Sequence, residues 1–216
     1  MLITSRSAAE YTAMFDLPDL SGVPVLDCCA GASSFAAESA GEVVACDPGY
    51  RNGYASLADE VEAGLRGVEG IIDDHRDDFV WSWYGDRDRR IELRRTAARL
   101  FLDDVRDNAN RYVAGALPCL PFANKSFDVA LCSHLLFTWS DVFDEDWHRR
   151  ALAELVRVAR REVRVFPLVV QGTGAPVPFL PRLLDELGPA AEVVKVPFCF
   201  QRGADEMLRI SIAPIG

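Results

Sequence analysis

Two aspartates, a glycine and a histidine are the residues of this sequence best placed to do chemistry. Asp27 sits in the run VLDCCAGASSF, Gly31 follows four residues later, and Asp47 falls sixteen residues beyond Gly31 in EVVACDP. A glycine in a small-residue turn (with Ala30 beside it) lets a ligand approach the backbone, and the helix that follows offers unpaired N–H groups. A carboxylate at about this spacing reaches the ribose hydroxyls in dinucleotide-binding βαβ units, where it accepts both hydroxyl protons. The competing reading of Asp47 is a loop residue capping the next helix. His134, one of three histidines, follows Ser133 at the end of an apolar run. An imidazole with an unperturbed pKa of about 6.5 suits a general base at neutral pH, although a histidine at a strand end is also a common hydrogen-bonded structural residue.

A second set of residues has the character of a pocket wall. Phe79, Trp81, Trp83 and Tyr84 gather just before Gly85. Such a cluster either anchors a segment to the core or lines a substrate pocket, and Trp81, Trp83 and Tyr84 are candidates for the second role. Tyr11, on a short N-terminal helix that ends near the first turn, is placed to cover a ligand there, while Phe15 on the same helix packs into the core. His75 stands among Asp73, Asp74, Asp77 and Asp78, but no helical or strand register puts these on one face, so no metal is assigned. The six cysteines form no C-x-x-C pair, which suggests neither a zinc site nor a disulfide framework.

The elements that must position these residues alternate as an α/β protein does. Val25 to Asp27 and Val43 to Asp47 read as short buried parallel strands, with the alanine-rich FAAESA as a helix between them. Ser7 with Glu10 forms a capping box for the first helix, and Ser33 or Ser34 caps the second. Between Asp47 and the next strand, Arg111 to Ala114, lies an insert at about 53–110, too long for a plain crossover. Ser56 with Asp59 reads as a capping box opening one helix there. A second helix carries Ile91, Ala98, Leu102 and Val105 along one face. The six arginines between Arg87 and Arg99 interleave with Asp88 and Glu92 and read as a solvated face. Phe127 to Cys132 is a strand. A helix then runs from the acidic start at Asp144 to Arg157, Arg160 and Arg161, matching its dipole at both ends. Val163 to Val170 is the next strand, and FLPRLLDEL is a helix stopped by Gly188. The tail alternates through Val194, Val196, Phe198 and Phe200 and again through Leu208, Ile210 and Ile212, a hairpin in which Pro197 marks a sheet edge.

Length and composition fit a single domain over 1–216. With 216 residues, 50% of them hydrophobic, the chain can bury a full core. A net charge of −10 argues against a general binder of nucleic acid or membrane surface, both of which are anionic. No apolar run is long enough to span a bilayer and MLITSRSAAE lacks a signal-peptide centre, so the cytoplasm is the expected compartment.

LPFANKSFDVALCSHLLF resembles the fourth motif of the class I S-adenosylmethionine-dependent methyltransferases. VLDCCAGASSF resembles their first motif and VVACDP their second, and the resemblance covers nearly the whole chain outside the insert. It implies a Rossmann-like three-layer sandwich, with a mostly parallel seven-stranded sheet, an antiparallel C-terminal hairpin and a helical insert. S-adenosylmethionine is the implied cofactor. Asp27, Ala30 and Gly31 would line its methionine end, and Asp47 with Pro48 would hold the ribose. Ala116 and Leu117 would flank the adenine, and Ser133 would lie beside the sulfonium, with His134 next to the methyl group. The pattern departs from the family at Cys29 and Ser33, which replace glycines of D-x-G-x-G-x-G, at Ala116, which replaces an aspartate, and at Arg161-Glu162, which replaces Gly-Gly. The implied activity is methyl transfer to a small-molecule acceptor. Three alternatives stay open. One is a non-catalytic protein of this fold that binds S-adenosylmethionine or S-adenosylhomocysteine and acts through a partner. Another is a nucleic-acid methyltransferase using the arginine-bearing insert. The third, a nicotinamide-dependent oxidoreductase, is disfavoured because GASSFA lacks the later glycines of its fingerprint.

Overall fold

The computed structural model describes residues 3–74 and 79–213, so the run around His75 lies outside the described residues. Helix α1, Ala8–Phe15, starts at the expected capping box: the Ser7 hydroxyl accepts the Glu10 N–H, and the Glu10 carboxylate accepts the Ser7 N–H at 2.8 Å. Strands β1 (Val25–Cys28) and β2 (Val43–Cys46) flank the four-residue helix α2, Phe35–Glu38. Then come α3 (Tyr54–Asp74), α4 (Arg87–Asp107), β3 (Tyr112–Val113) and β4 (Phe127–Ser133). The chain continues through α5 (Glu145–Val158), β5 (Ala159–Phe166), α6 (Leu180–Leu187), β6 (Ala191–Lys195) and β7 (Glu206–Ser211).

The seven strands form one sheet in the order β3-β2-β1-β4-β5-β7-β6. All neighbours are parallel except β7, which runs antiparallel to both β5 and β6. Period-2 alternation divides the core. Leu26, Ala130 and Cys132 face one way, against Leu152 and Leu155 of α5 and Leu183 of α6. Val25, Val129 and Leu131 face the other, against Tyr11, Met14 and Phe15 of α1 and Phe35 of α2. On that second side α3 and α4 pack on each other around Leu57, Val61, Ala98 and Phe101. This is the expected Rossmann-like three-layer arrangement, with the strand order running outward from β1 and β4, so that the ends of β1, β2 and β4 meet at one edge.

Several boundaries differ from the sequence expectation for physical reasons. Helix α5 stops at Val158, because pairing between β4 and β5 begins at Phe127↔Ala159, and Arg160 and Arg161 already belong to β5. That strand ends at Phe166, before Pro167, which has no N–H to continue the ladder. Strand β6 ends at Lys195, short of Pro197; Phe198 and Phe200 leave the sheet and pack against Tyr84 at 5.9 and 5.1 Å between ring centroids. Helix α3 begins at Tyr54, so Ser56 lies inside it and donates to Glu60 at 3.2 Å instead of capping. Helix α4 turns Arg90, Arg94, Ala97, Ala98 and Phe101 inward, so two of the six arginines are buried, not solvated.

Candidate functional site

The ends of β1, β2 and β4 bring most of the expected site residues together. Asp27 on β1 lies in register with Ala45 of β2 and Leu131 of β4. It is fully buried; its Oδ1 accepts the Tyr11 hydroxyl at 2.9 Å, while its Oδ2 has no partner. Burial pushes this carboxyl up to about 8, partly offset by the hydroxyls of Tyr11 and Ser33, with Cys132 and Asp47 adding to the shift. Tyr11 is thus a direct neighbour of the first-motif carboxyl and part of the core at once.

Past Asp27 the backbone enters a tight turn. Cys29 has φ of 61° and Gly31 has φ of 57°, so the chain keeps at Cys29 a left-handed conformation that favours glycine. Ser33, at the other substituted position, does not need such an angle; its hydroxyl accepts the Phe35 N–H at 3.1 Å and starts α2. The amide donors of this turn are not free, contrary to the sequence expectation. Ala32 N–H donates to Thr4 O at 3.1 Å and Ser34 N–H donates to Arg6 O at 2.9 Å, so residues 4–6 form a strap over the turn. A Cβ at Gly31 would come within 3.1 Å of Thr4 O, which makes the strap the group that approaches this backbone closely.

Asp47 caps the single-turn 3-10 helix Pro48–Asn52, as the competing reading of it anticipated, and faces the turn as well. Its Oδ1 accepts Gly49 N–H at 2.9 Å and its Oδ2 accepts Gly31 N–H at 3.0 Å. Each oxygen keeps a second lone pair for a further donor. Burial raises its pKa, opposed by the two amides. The Tyr50 hydroxyl donates to Gly31 O at 2.7 Å and locks the same turn from the other side. Asp47 O accepts the Gly115 N–H at 3.4 Å, which brings exposed Ala116 and buried Leu117 to the same edge, with Pro48 exposed beside them.

Ser133 ends β4 opposite Phe166, and its hydroxyl lies 2.8 Å from His134 Nδ1. His134 has φ of 55° and its ring meets Phe166 at 5.5 Å. Desolvation first, then Arg6 and Arg94, hold the imidazole well below its ordinary pKa, so it is neutral at pH 7. Cys28 stands in register with Cys46 and with Cys132; these three thiols are buried and fill the core beneath the turn.

The aromatic segment divides. Tyr84 is fully buried, donates to Glu10, and accepts from Arg94 at 3.0 Å. Trp83 packs edge-on against Tyr84 and Phe198, and Trp81 against Phe200. Tyr84 therefore joins α1 to α4 beside Tyr11, whereas Trp81 and Trp83 join the insert to the loop after β6. The gathering of Arg6, Glu10, Arg90 and Arg94 around Tyr84 is not readable in the sequence, where Glu10 reads as a capping residue and the two arginines of α4 as part of a solvated face. The only signal was the i, i+4 spacing of Arg90 and Arg94, which reads the same for an exposed helix face. A depression of about 820 Å³ lies outside α4, between Glu69, Asp88, Arg95 and Arg99; its mixed charges do not make the basic face that a nucleic acid requires.

Residues 90–166 match the model of a family described as a methyltransferase domain. An uncharacterized protein of Methanocaldococcus jannaschii is 25% identical over 224 aligned positions, covering 97% of this chain and 95% of its own. Among solved structures, a putative O-methyltransferase from Nostoc punctiforme superposes with a TM-score of 0.50 at 14% identity, over 94% of this chain and 55% of its own. A methyltransferase from Aquifex aeolicus, described as SAM-dependent, superposes with a TM-score of 0.48 at 14% identity, over 94% and 93%. Among the described residues no helix is long and apolar enough to cross a membrane.

Proposed function

We propose that this chain is a class I methyltransferase domain, a reading supported by its strand order and by the family match over residues 90–166, and that it binds S-adenosylmethionine at the ends of β1, β2 and β4 and transfers a methyl group to a small-molecule acceptor. The observation that carries the reading is the pair of carboxyls flanking Gly31, above all the Oδ2 of Asp27, fully buried and without a partner. A buried acceptor left unpaired costs about 1–3 kcal/mol, a cost that a cationic ammonium at that position would remove. Asp27 would hold the amino group of the methionine moiety and Asp47 the ribose hydroxyls. Ala116 and Leu117 would flank the adenine, with Ser133 and His134 at the methyl end.

S-adenosylmethionine supplies a methyl group on a positively charged sulfur, an already good leaving group. When bound, it would supply that methyl group to a lone pair of the acceptor, with the carbon–sulfur bonding pair left on sulfur, and any acceptor proton would need a site to receive it. The chain's own contribution is position, exclusion of water and a site for that proton. His134, neutral at pH 7 and held by Ser133, is the group in place to accept it. Its depressed pKa keeps it unprotonated but makes it a weak base, which suits an acceptor whose proton is readily lost. Two observations favour a second reading, a cofactor-binding protein without transfer: the strap consumes turn amides, and Cys29 has a positive φ of 61°.

The test uses S-adenosylmethionine labelled in the methyl group, incubated with small-molecule, protein and RNA fractions of a cell extract. Label is expected in the small-molecule fraction, and His134→Gln should lower the rate about 10²-fold or more while leaving cofactor affinity unchanged. Label in RNA or protein would replace the acceptor class. Binding without label in any fraction would establish the second reading, and unchanged turnover in His134→Gln would remove it as the base.

A further inference from the structure

Beside the methyl end of the site lies a buried cluster with more positive charge than it can neutralise. Glu10 is its one carboxylate among the described residues, and that carboxylate is saturated. It accepts the Ser7 N–H at 2.8 Å and the Ser7 hydroxyl at 3.1 Å, together with the Tyr84 hydroxyl, and it pairs with Arg94 at 2.8 Å. Arg94 also donates to Ser5 O and Tyr84, so it is the arginine paired with Glu10, although its Nε is buried without a hydrogen-bond partner.

Arg90 and Arg6 are left over. Arg90, 4% exposed, lies over the rings of Tyr84 and Phe200, at 5.6 and 4.7 Å from their centroids, and its Nε has no hydrogen-bond partner. Arg6 donates once, to Thr4 Oγ1 at 2.7 Å, and its Nε is likewise buried without a partner. Burial, followed by repulsion from Arg94, lowers Arg90 to about 9 and Arg6 to about 10. Both remain charged at neutral pH. Buried charges are normally paired, because leaving one unpaired costs several kcal/mol. Arg90 is such a cation, and half-buried Arg6, with its Nε donor unused, adds a second charge that no carboxylate among the described residues pairs with.

The cluster lies within electrostatic reach of the proposed methyl end. Arg6 and Arg94 are the charges that His134 feels most, and Glu10 is followed directly by Tyr11, which bonds Asp27. A cavity of about 20 Å³, the size of a water, touches Arg90, Arg94, Thr4 and Ser5. A larger group would enter by displacing the strap at Thr4 and Ser5.

We propose that Arg6 and Arg90 bind an oxyanion of the methyl acceptor, a carboxylate or phosphate, so that the acceptor is an anionic small molecule. The assignment to an acceptor rests on the transferase reading; the anion site itself does not. Guanidinium groups suit this task because their planar donors match a carboxylate or phosphate oxygen pair.

The experiment follows the arginine Nε–H resonances of the full chain by NMR during titration with phosphate, acetate and neutral acetamide, with and without S-adenosylhomocysteine. Saturable shifts of the Arg6 and Arg90 signals are expected with an anion and not with acetamide, weakened at least about ten-fold in Arg90→Gln and in Arg6→Gln. The anion that binds more tightly identifies the group. Absence of saturable shifts with both anions would overturn the proposal, as would unchanged affinity in whichever of the two variants folds. Anion binding without S-adenosylhomocysteine binding would uphold the anion site and count against the transferase reading alone; the reverse would count against the anion site alone.

Discussion

Asp27 concentrates the electrostatics of the site in one side chain. Its carboxyl titrates at about 8 in the folded chain, against about 4 in an unfolded one. Between those values the folded state holds a proton that the unfolded state has released. The contribution of Asp27 to stability is therefore complete below about pH 4 and is lost as pH rises through about 8. His134 acts in the opposite direction, since its lowered pKa makes the folded state resist protonation below about pH 6.5. Asp27→Asn removes only the first effect and keeps an acceptor for Tyr11. Its stability relative to wild type should accordingly rise by a few kcal/mol between pH 5 and pH 8.5 in urea unfolding. Parallel stability curves for the two proteins would show that Asp27 is ionised in the fold. The position of the aspartate and the place of Tyr11 near the same turn were legible in the sequence, but not the bond between them. The orphaned Oδ2 and the Tyr11 contact depend on α1 closing over β1, and sequence spacing does not encode that.

The strap of residues 4–6 is what most changes the picture of the first turn. The sequence marked Gly31 as the point of close approach, and it is one, but the approaching backbone is the chain's own. Gly31→Ala would place a Cβ 3.1 Å from Thr4 O at φ of 57°. Gly22, with φ of 72° and nothing within 4 Å, provides the control in which only the backbone angle matters. Gly22→Ala should cost about 1 kcal/mol and Gly31→Ala about 2–3 kcal/mol, read as the difference in urea midpoints. Equal costs would mean that the strap does not rest on the turn. At the scale of elements the strand cores, the α1 capping box and the Gly188 stop were legible, because each rests on a local pattern of two to four residues. The inward face of α4 was not. Arg90 and Arg94 occupy positions that periodicity assigns to apolar residues; Glu10, Ser5 O and the Tyr84 hydroxyl accommodate Arg94, and the rings of Tyr84 and Phe200 accommodate Arg90.

Taken as a whole, the molecule sets a net charge of −10 against a locally cationic interior beside the sheet edge. The mostly parallel sheet with an antiparallel C-terminal pair was legible in the sequence, since the apolar runs read there as strands become β1, β2 and β4, paired in parallel, and β7 pairs antiparallel with β6. The buried arginine cluster was not, because residues 6, 10, 84, 90 and 94 belong to no common motif. The central claim is that Asp47 and Gly31 at this edge form a site for the adenosyl cofactor. Calorimetric titration of the chain with S-adenosylhomocysteine tests it most directly, with Asp47→Asn as the variant that keeps size and one acceptor. The account predicts saturable one-site binding by wild type, weakened by about 1.5–3 kcal/mol, roughly 10- to 150-fold, in the variant. No binding by wild type, or equal affinity in Asp47→Asn, would contradict it.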